Sequence, residues 1–334
     1  MSCASAPQAA SADDHPAARA LGRFGAVSAL SLGGAGVASH WGEVAREEGI
    51  ATLRAAVAAG ITLLDMAPKY GDLRAEQMVG EAFDGALPPG VRVLTKVLFD
   101  AQERDYRGAL EASLAASLAR MRLPRVDFLL LHNQLVPDEQ VGRWPGLAWS
   151  VYCEQVRPLL SALAAEGRIS GWGMSGIGAS SQILRALRSD PAPQIIEAIA
   201  NPLDLLGNLH TSEEPALPRQ IIACGAAGNC GVLGVRVAAA GALTDALDRV
   251  LPPSHPVARD FQRAQGFRDL ATRTGMSAAT LALRYALAMP GVSSIVLGVK
   301  NRRELDESLH AARCGPLDGA LCALIDEVAK RSAA

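Results

Sequence analysis

The stretch REEGIATLRAAVAAG at residues 46–60 runs directly into ITLLDM at residues 61–66. Its first part spaces apolar residues as an amphipathic helix does and ends in Gly60, a residue type that favours a helix C-terminus. Its second part is apolar along almost its whole length, which is typical of a strand in a parallel sheet covered on both faces. The unit is therefore a helix leading into a buried strand, the repeating element of an α/β fold.

The same alternation continues along the chain. Further helical patterns occupy residues 107–121, 151–167 and 276–289. The apolar runs predicted as strands are residues 26–32, 61–66, 91–97, 126–132, 169–175, 194–200, 232–238 and 293–299. Eight βα units favour a (β/α)8 TIM barrel with an extra C-terminal helix near residues 316–331. An open doubly wound sheet is the competing fold.

The two ends of the chain differ in texture. Residues 1 to about 20 are rich in Ala, Ser and Pro without apolar periodicity, so they are predicted to be a disordered N-terminal tail. Residues 21–334 are then predicted to form a single barrel domain.

Composition excludes several classes of protein. The 334 residues include 32 basic and 34 acidic side chains, and the net charge of -2 gives no basic field for nucleic acid or anionic membranes. No apolar run approaches the roughly 20 residues that span a bilayer, and Asp13 and Asp14 interrupt any leader-like stretch. The six cysteines show neither a C-x-x-C pair nor zinc-ligand spacing. We expect a cytoplasmic protein with no disulfide framework, metal site, nucleic-acid partner or membrane partner; the sequence leaves its oligomeric state open.

A glycine-rich segment follows the first predicted strand. Gly34-Ala-Gly36-Val-Ala-Ser39 comes close to the dinucleotide fingerprint G-x-G-x-x-G, but Ser39 replaces its last glycine. The next acid at a strand end, Asp65, also lies further downstream than the fingerprint's spacing of about 20 residues. We predict a strand-to-helix turn here rather than a dinucleotide-binding loop.

Polar side chains end three consecutive predicted strands. Asp65, Lys96 and His132 stand at those ends, and Tyr70 follows Asp65 by five residues. Because the active site of a (β/α)8 barrel forms at the C-terminal ends of its strands, we expect these four side chains to meet at the barrel mouth. Each has a non-catalytic alternative: a cap for Asp65, a rim position for Lys96, a core histidine and a packing tyrosine. A buried Asp–Lys pair would nevertheless be costly without a function.

The same residues carry a family resemblance. GITLLDMAPKYG (60–71), followed by AEQMVG (75–80), resembles the signature of the aldo-keto reductase family. Other marks follow in the family's order: LTKV around Lys96, LLLH ending at His132, GWGMSG (171–176), GALT (241–244) and VLGVKNRRELDESL (296–309). The resemblance extends from about residue 21 to the C-terminus. It implies a barrel closed at its bottom by an N-terminal β-hairpin, a nicotinamide cofactor, and a small aldehyde, ketone, sugar or alcohol as substrate.

The resemblance also implies roles for the four side chains. Tyr70 would be the general acid that protonates the carbonyl oxygen as hydride arrives. Lys96 would favour the phenolate and so lower the pKa of Tyr70 from its usual value of about 10. Asp65 would keep Lys96 charged, and His132 would orient the substrate oxygen.

Cofactor contacts carry over with departures. Ser175 matches the family's carboxamide contact, but Gly176 replaces the usual Asn and Glu197 the usual Gln. The other residues expected to contact the cofactor are Gly241, Leu243, Gly298, Lys300, Arg302, Arg303, Glu307 and Ser308. Basic side chains at the start of a helix favour an anion, so NADP(H) is the expected cofactor and NAD(H) the alternative. The predicted substrate pocket consists of Trp41, His132, Trp144 and Trp149.

Three functions are compatible with these residues. The first is an NAD(P)(H)-dependent reductase, or a sugar or alcohol dehydrogenase of the same family. The second is a barrel lyase or aldolase in which Lys96 forms a Schiff base. The third is a nucleotide-binding regulatory barrel with little activity, against which the intact set of four polar side chains argues.

Overall fold

The structure, a computed structural model, describes residues 16–209 and 212–333. The described chain begins with an antiparallel hairpin in which β1 (Ala18–Ala20) pairs with β2 (Ala26–Ser28). The sequence prediction assigned 18–20 to the tail and 26–28 to the first barrel strand, and the hairpin corrects both assignments. One apolar run cannot reveal that its halves pair with different partners. Residues 1–15 of the predicted tail lie outside the described residues.

Eight parallel strands form a closed barrel. In order around the barrel they are β3 (Leu30–Gly33), β4 (Leu63–Asp65), β5 (Arg92–Val97), β6 (Phe128–Leu131), β9 (Gly171–Ser175), β10 (Ile195–Ile199), β11 (Gly231–Val235) and β12 (Ser294–Leu297). The last strand pairs with the first, Ile295 opposite Leu30, which closes the ring. The predicted (β/α)8 barrel is therefore confirmed, and the open doubly wound sheet is wrong. A small separate sheet, β7 (Leu135–Val136) with β8 (Leu147–Ala148), lies in the loop after β6.

Helices follow the strands along the chain. They are α1 (Gly34–Val37), α2 (Arg46–Ala58), α3 (Arg74–Phe83), α4 (Tyr106–Met121), α5 (Trp149–Val151), α6 (Arg157–Ala165), α7 (Ser180–Leu187), α8 (Pro218–Ala227), α9 (Pro256–Arg263), α10 (Gln265–Thr274), α11 (Ala278–Ala288), α12 (Arg302–Arg313) and α13 (Gly319–Ala333). A π-helical turn, Tyr152–Val156, joins α5 to α6 inside the predicted helix 151–167. Helix α13 confirms the predicted extra C-terminal helix.

Side-chain caps fix where several helices begin. Asp105, Ser277 and Asn301 each accept a hydrogen bond from a backbone N–H in the first turn of α4, α11 and α12, respectively. Such a cap satisfies a donor that the helix leaves unpaired and typically stabilises by about 1 kcal/mol.

The lower interior of the barrel is apolar, and the hairpin contributes to it. A cluster of buried side chains fills this space: Leu21, Val27, Leu63, Leu94, Phe128, Leu130, Ile195 and Leu233. Leu21 and Val27 come from the hairpin, and the ring of Phe24 lies edge-on to Phe128 at 4.9 Å between centroids. The hairpin thus closes the N-terminal end of the barrel, as the resemblance implied.

Two residues of the AEQMVG motif are structural. The buried Glu76 carboxylate accepts a hydrogen bond from Thr95 of β5 and forms a 2.6 Å ion pair with Arg120 of α4. A Cβ on Gly80 would lie 2.5 Å from the Arg120 carbonyl oxygen, so only glycine allows this approach of α3 to α4. These contacts tie the α3–α4 layer to the strand that carries Lys96.

The glycine-rich segment forms the predicted strand-to-helix turn, with β3 running directly into α1. A Cβ on Gly36 would lie 2.2 Å from the carbonyl oxygen of Val299 and 2.6 Å from that of Gly298.

We therefore expect Gly36→Ala to lower the free energy of unfolding by about 1–3 kcal/mol, measured by chemical denaturation. Gly319→Ala is the matched control, since a Cβ there meets nothing within 4 Å. Equal stability of the two variants would contradict this prediction.

Candidate active site

The two-residue period of a strand explains how polar side chains come to lie above the apolar interior. Side chains two residues apart point to the same face. Asp65 follows the interior residue Leu63 on β4, Lys96 follows Leu94 on β5, and Glu197 follows Ile195 on β10. The barrel interior is thus apolar at its base and charged at the C-terminal ends of its strands.

Lys96 lies at the centre of this charged layer. Its Nζ forms an ion pair with Asp65, lies 3.0 Å from Oε1 of Glu197 and donates to the Met66 carbonyl at 3.3 Å. Ser175 of β9 donates a 2.6 Å hydrogen bond to Oε2 of Glu197. Asp65 is the partner that the sequence predicted for Lys96. The ion pair with Glu197 was missed, although the position of Glu197 near a strand end was a usable signal.

Tyr70 and His132 complete the group. The Lys96 Nζ lies 4.8 Å from the centroid of the Tyr70 ring. The His132 ring stands edge-on to Tyr70 at 5.8 Å, and His40 lies 6.2 Å from Tyr70 on another side. The four residues predicted as catalytic are thus brought together at the barrel mouth.

The charges of the cluster follow from one ammonium held between two buried acids. Burial alone would lower the pKa of Lys96, but Asp65 and Glu197 outweigh it and raise that pKa well above its usual value. Burial raises the pKa of Asp65 against the effect of Lys96. Burial would raise the pKa of Glu197 as well. Lys96, His132 and the hydrogen bond from Ser175 outweigh burial and lower that pKa.

The environment of Tyr70 corrects one expectation. Although Tyr70 keeps part of its surface exposed, burial around its hydroxyl raises its pKa. Asp65 and Glu197 raise the pKa further, and together these effects exceed the lowering by Lys96. The sequence prediction counted only the effect of the Lys96 ammonium on this pKa and left out burial and the charges of the two acids. At neutral pH Tyr70 holds its proton, the form that a proton donor requires.

His132 is expected to be uncharged over the physiological pH range. Burial, then the Lys96 charge, lowers its pKa from 6.5 to about 4. Between these values the unfolded chain binds more protons than the native state, so the stability contribution of His132 is present above about pH 6.5 and is lost as pH falls towards 4. NMR titration should give His132, assigned with a His132→Gln variant, a midpoint near 4. A midpoint at or above 6 would contradict the prediction.

A cleft of about 590 Å³ opens beside His132 and Ser175. Its walls come mainly from the loop after β5 and from the segment after β6, including Phe99, Tyr106, Val141 and Leu147. Its polar lining residues are Lys69, Asp100, Arg104, Asn133 and Gln134. Asn133 was not predicted: it is buried and exchanges two hydrogen bonds with the Phe99 backbone, at 2.8 and 2.9 Å, which ties the two loops together.

Of the predicted pocket residues, His132 lines this cleft and the three tryptophans do not. Trp149 packs on Tyr152 at 5.5 Å between ring centroids and beneath the Arg185 guanidinium at 4.3 Å. Trp41 packs on His40 at 4.6 Å, and its Nε1 lies 3.9 Å from where a Cβ on Gly298 would stand. Trp144 forms a β-bridge with Val141. Tryptophans in loops were expected to line the mouth, but Trp41 and Trp149 mainly pack on their neighbours.

The residues predicted to contact the nicotinamide end of the cofactor lie on two neighbouring strands and in the turn after β11. Ser175 and Glu197 lie opposite each other on β9 and β10. A Cβ on Gly176 would lie 2.4 Å from the Glu197 carbonyl oxygen, so the backbone leaves no room for the Asn that the resemblance implied here. Gly241 adopts a positive φ of 96° in the turn after β11. Leu243 is fully buried.

The cations predicted to bind a phosphate already have carboxylate partners. Lys300 pairs with Asp248 and lies 3.6 Å from Glu304. Arg302 contacts both oxygens of Glu48, at 2.9 and 3.2 Å. Arg303 pairs with Glu307 at 2.8 Å, and Ser308 donates to the Glu304 carbonyl at 2.8 Å. The basic helix start is thus neutralised by acids, some of them distant in sequence.

Metal-binding clusters and membrane-spanning helices are both absent from the described residues, 16–209 and 212–333. No group of three or more His, Cys, Asp or Glu side chains there could hold a metal ion. No helix in this part of the chain is long and apolar enough to cross a membrane.

Comparison with known proteins agrees with this geometry. The model of the Aldo/keto reductase family matches residues 29–330. L-galactose dehydrogenase of Arabidopsis thaliana is 24% identical over 298 residues, covering 88% of this chain and 87% of its own length. A probable voltage-gated potassium channel subunit beta of Oryza sativa subsp. japonica is 26% identical and covers 89% of this chain and 91% of its own. Among solved structures, glycerol dehydrogenase of Gluconobacter oxydans is similar in fold, with a TM-score of 0.69, 22% identity, and coverage of 96% of this chain and 97% of that one.

Proposed function

We propose that the chain transfers a hydride between a nicotinamide dinucleotide and a small carbonyl or alcohol substrate, because it belongs to the aldo/keto reductase family of oxidoreductases. The match over residues 29–330 confirms the family resemblance predicted from the motifs. The observation that carries the proposal is the meeting of Tyr70, Lys96, Asp65 and His132 at the C-terminal ends of the strands, beside a cleft.

Each side chain has a task that follows from its environment. Tyr70 holds a proton that it gives to the carbonyl oxygen, and the Lys96 ammonium beside its ring stabilises the phenolate left behind. Asp65 keeps Lys96 charged and directed. Neutral His132 accepts or donates one hydrogen bond and so orients the substrate oxygen. When bound, the nicotinamide supplies or accepts the hydride.

The residues around Glu197 fit a nicotinamide carboxamide. Among the described residues Oε1 of Glu197 accepts no hydrogen bond of good geometry, and its contact with the Lys96 ammonium at 3.0 Å is an ion pair. A buried acceptor without a donor is costly. A primary amide offers the N–H group that this oxygen lacks, and Ser175 and Glu197 are the residues that would hold it.

The residues expected at the adenosine end of the cofactor bear on whether NADP(H) or NAD(H) binds. The sequence favours NADP(H) through Lys300, Arg302 and Arg303, and this stays a prediction. The carboxylates paired with all three cations favour NAD(H), because an added phosphate would have to displace Asp248, Glu48 or Glu307 or lie beside their charge. NAD(H) is therefore the second candidate.

The substrate class is proposed from the cleft and from the relatives. Asp100, Arg104, Asn133 and Gln134 offer hydrogen-bonding groups suited to a molecule with several hydroxyls. One similar protein is an L-galactose dehydrogenase and a similar fold belongs to a glycerol dehydrogenase. We propose a sugar or polyol, oxidised at an alcohol or reduced at a carbonyl.

A fluorescence titration with NADH and, separately, NADPH tests the proposal, followed by turnover assays with aldoses and polyols. Binding of either dinucleotide together with turnover is expected. Binding without turnover on any carbonyl or alcohol would favour the regulatory barrel. Borohydride trapping of a carbonyl substrate on Lys96 would favour the lyase, which needs a neutral amine; the raised pKa of Lys96 argues against it.

A further inference from the structure

Glu197 is a charged group of the site that takes no part in the proposed transfer of a proton or a hydride. It is 3% exposed at the carboxyl end of β10. Oε2 accepts the 2.6 Å hydrogen bond from Ser175, and Oε1 lies 3.0 Å from Nζ of Lys96. Since Lys96 also pairs with Asp65, two buried carboxylates share one ammonium.

This cluster lacks one positive charge. Lys96 is the ammonium that acts on both acids among the described residues, and His132, with a pKa of about 4, adds no charge at neutral pH. Lys69 is a second cation that acts on His132. It is exposed to solvent, so water screens its charge. Once Asp65 is ionised, the buried groups Asp65, Lys96 and Glu197 carry a net charge of about -1.

We propose, resting on the proposed function, that Glu197 makes the site select the oxidised nicotinamide over the reduced form. The oxidised ring carries a positive charge and the reduced ring is neutral. In a site with little water, an uncompensated carboxylate attracts the cationic oxidised ring. The neutral reduced ring gains no such attraction. Loaded from a mixed pool, the protein then holds the form that accepts hydride from an alcohol.

The amide of glutamine matches the shape of the Glu197 side chain but carries no charge, so Glu197→Gln isolates the electrostatic effect. We would measure the Kd of NAD+, NADH, NADP+ and NADPH by calorimetry, at mildly alkaline pH where Asp65 is ionised. The comparison is made within each oxidised–reduced pair, so that any effect of the adenosine phosphate cancels. We expect native protein to bind the oxidised member more tightly. In Glu197→Gln the ratio Kd(oxidised)/Kd(reduced) should rise at least about tenfold, equivalent to about 1.4 kcal/mol.

Glu111→Gln is the matched control, because it makes the same carboxylate-to-amide change at a solvent-exposed ion pair with Arg168, outside the site. Its ratio should stay within about threefold of the native one. A ratio in Glu197→Gln that also stays within threefold, with both forms still bound, overturns the inference and leaves the proposed function standing. Native protein that prefers the reduced form overturns it even if the variant fails to fold. Native protein that binds neither form overturns the proposed function as well.

Discussion

Replacing Tyr70 with phenylalanine is expected to lower kcat by roughly 10²–10⁴ while the Kd of the dinucleotide stays within about twofold of the native value. Phenylalanine keeps the ring that faces His132 at 5.8 Å and Lys96 at 4.8 Å, so the packing of the site is retained. It removes the hydroxyl that we propose delivers a proton to the substrate oxygen. Steady-state turnover and dinucleotide titration on the same preparation measure the two quantities.

Tyr152→Phe is the matched control for this change. Tyr152 is fully buried, and its hydroxyl has no hydrogen-bond partner among the described residues. Losing that hydroxyl should leave kcat within about twofold and should not destabilise the fold. Full activity in Tyr70→Phe, or an equal loss in both variants, would contradict the assignment of Tyr70.

Replacing Lys96 with methionine is expected to lower the free energy of unfolding by about 3–5 kcal/mol near neutral pH and to abolish turnover. Methionine fills much of the buried space, but it leaves Asp65 and Glu197 facing each other without an ammonium. The folded-state pKa of these acids is then raised above the unfolded value. The resulting loss of stability is small in acid, where both acids are protonated in either state, and grows as pH rises towards neutrality.

Urea unfolding at several pH values measures this effect. Lys330→Met is the control: Lys330 is exposed and pairs with Glu327 at 2.6 Å within helix α13. Its change should stay within about 0.5 kcal/mol at every pH. A Lys96→Met variant whose loss of stability does not depend on pH would show that the two acids are not held by that ammonium.

Local patterns in the sequence were sufficient for the barrel. The strands could be predicted because each is a short apolar run between helical patterns, and β5, predicted as 91–97, occupies Arg92–Val97. The run 26–32 was predicted as one strand, since nothing local shows that Ala26–Ser28 pairs with Ala18–Ala20 and Leu30–Gly33 with the barrel. The π-helical turn at Tyr152–Val156 was missed because its residues fit the helical period equally well.

The candidate site was predictable where strand ends determine it, and not where contacts join distant segments. Strand ends bring Asp65, Lys96 and His132 together. The pairing of Arg302 with Glu48 joins residues 254 positions apart, and no spacing rule shows it. Likewise, the pKa of Tyr70 depends on Glu197, whose contact with Lys96 appears only once the barrel has closed.

In the reaction that we propose, hydride passes directly between a nicotinamide and a substrate carbon at Tyr70. We would incubate native protein and Tyr70→Phe with NADH or NADPH deuterated at both C4 positions, together with an aldose, and examine the product alcohol by mass spectrometry. We expect one deuterium on the carbinol carbon with native protein and at least about a hundredfold slower incorporation with Tyr70→Phe. Reduced product without deuterium at that carbon, or equal rates in the two proteins, would contradict it.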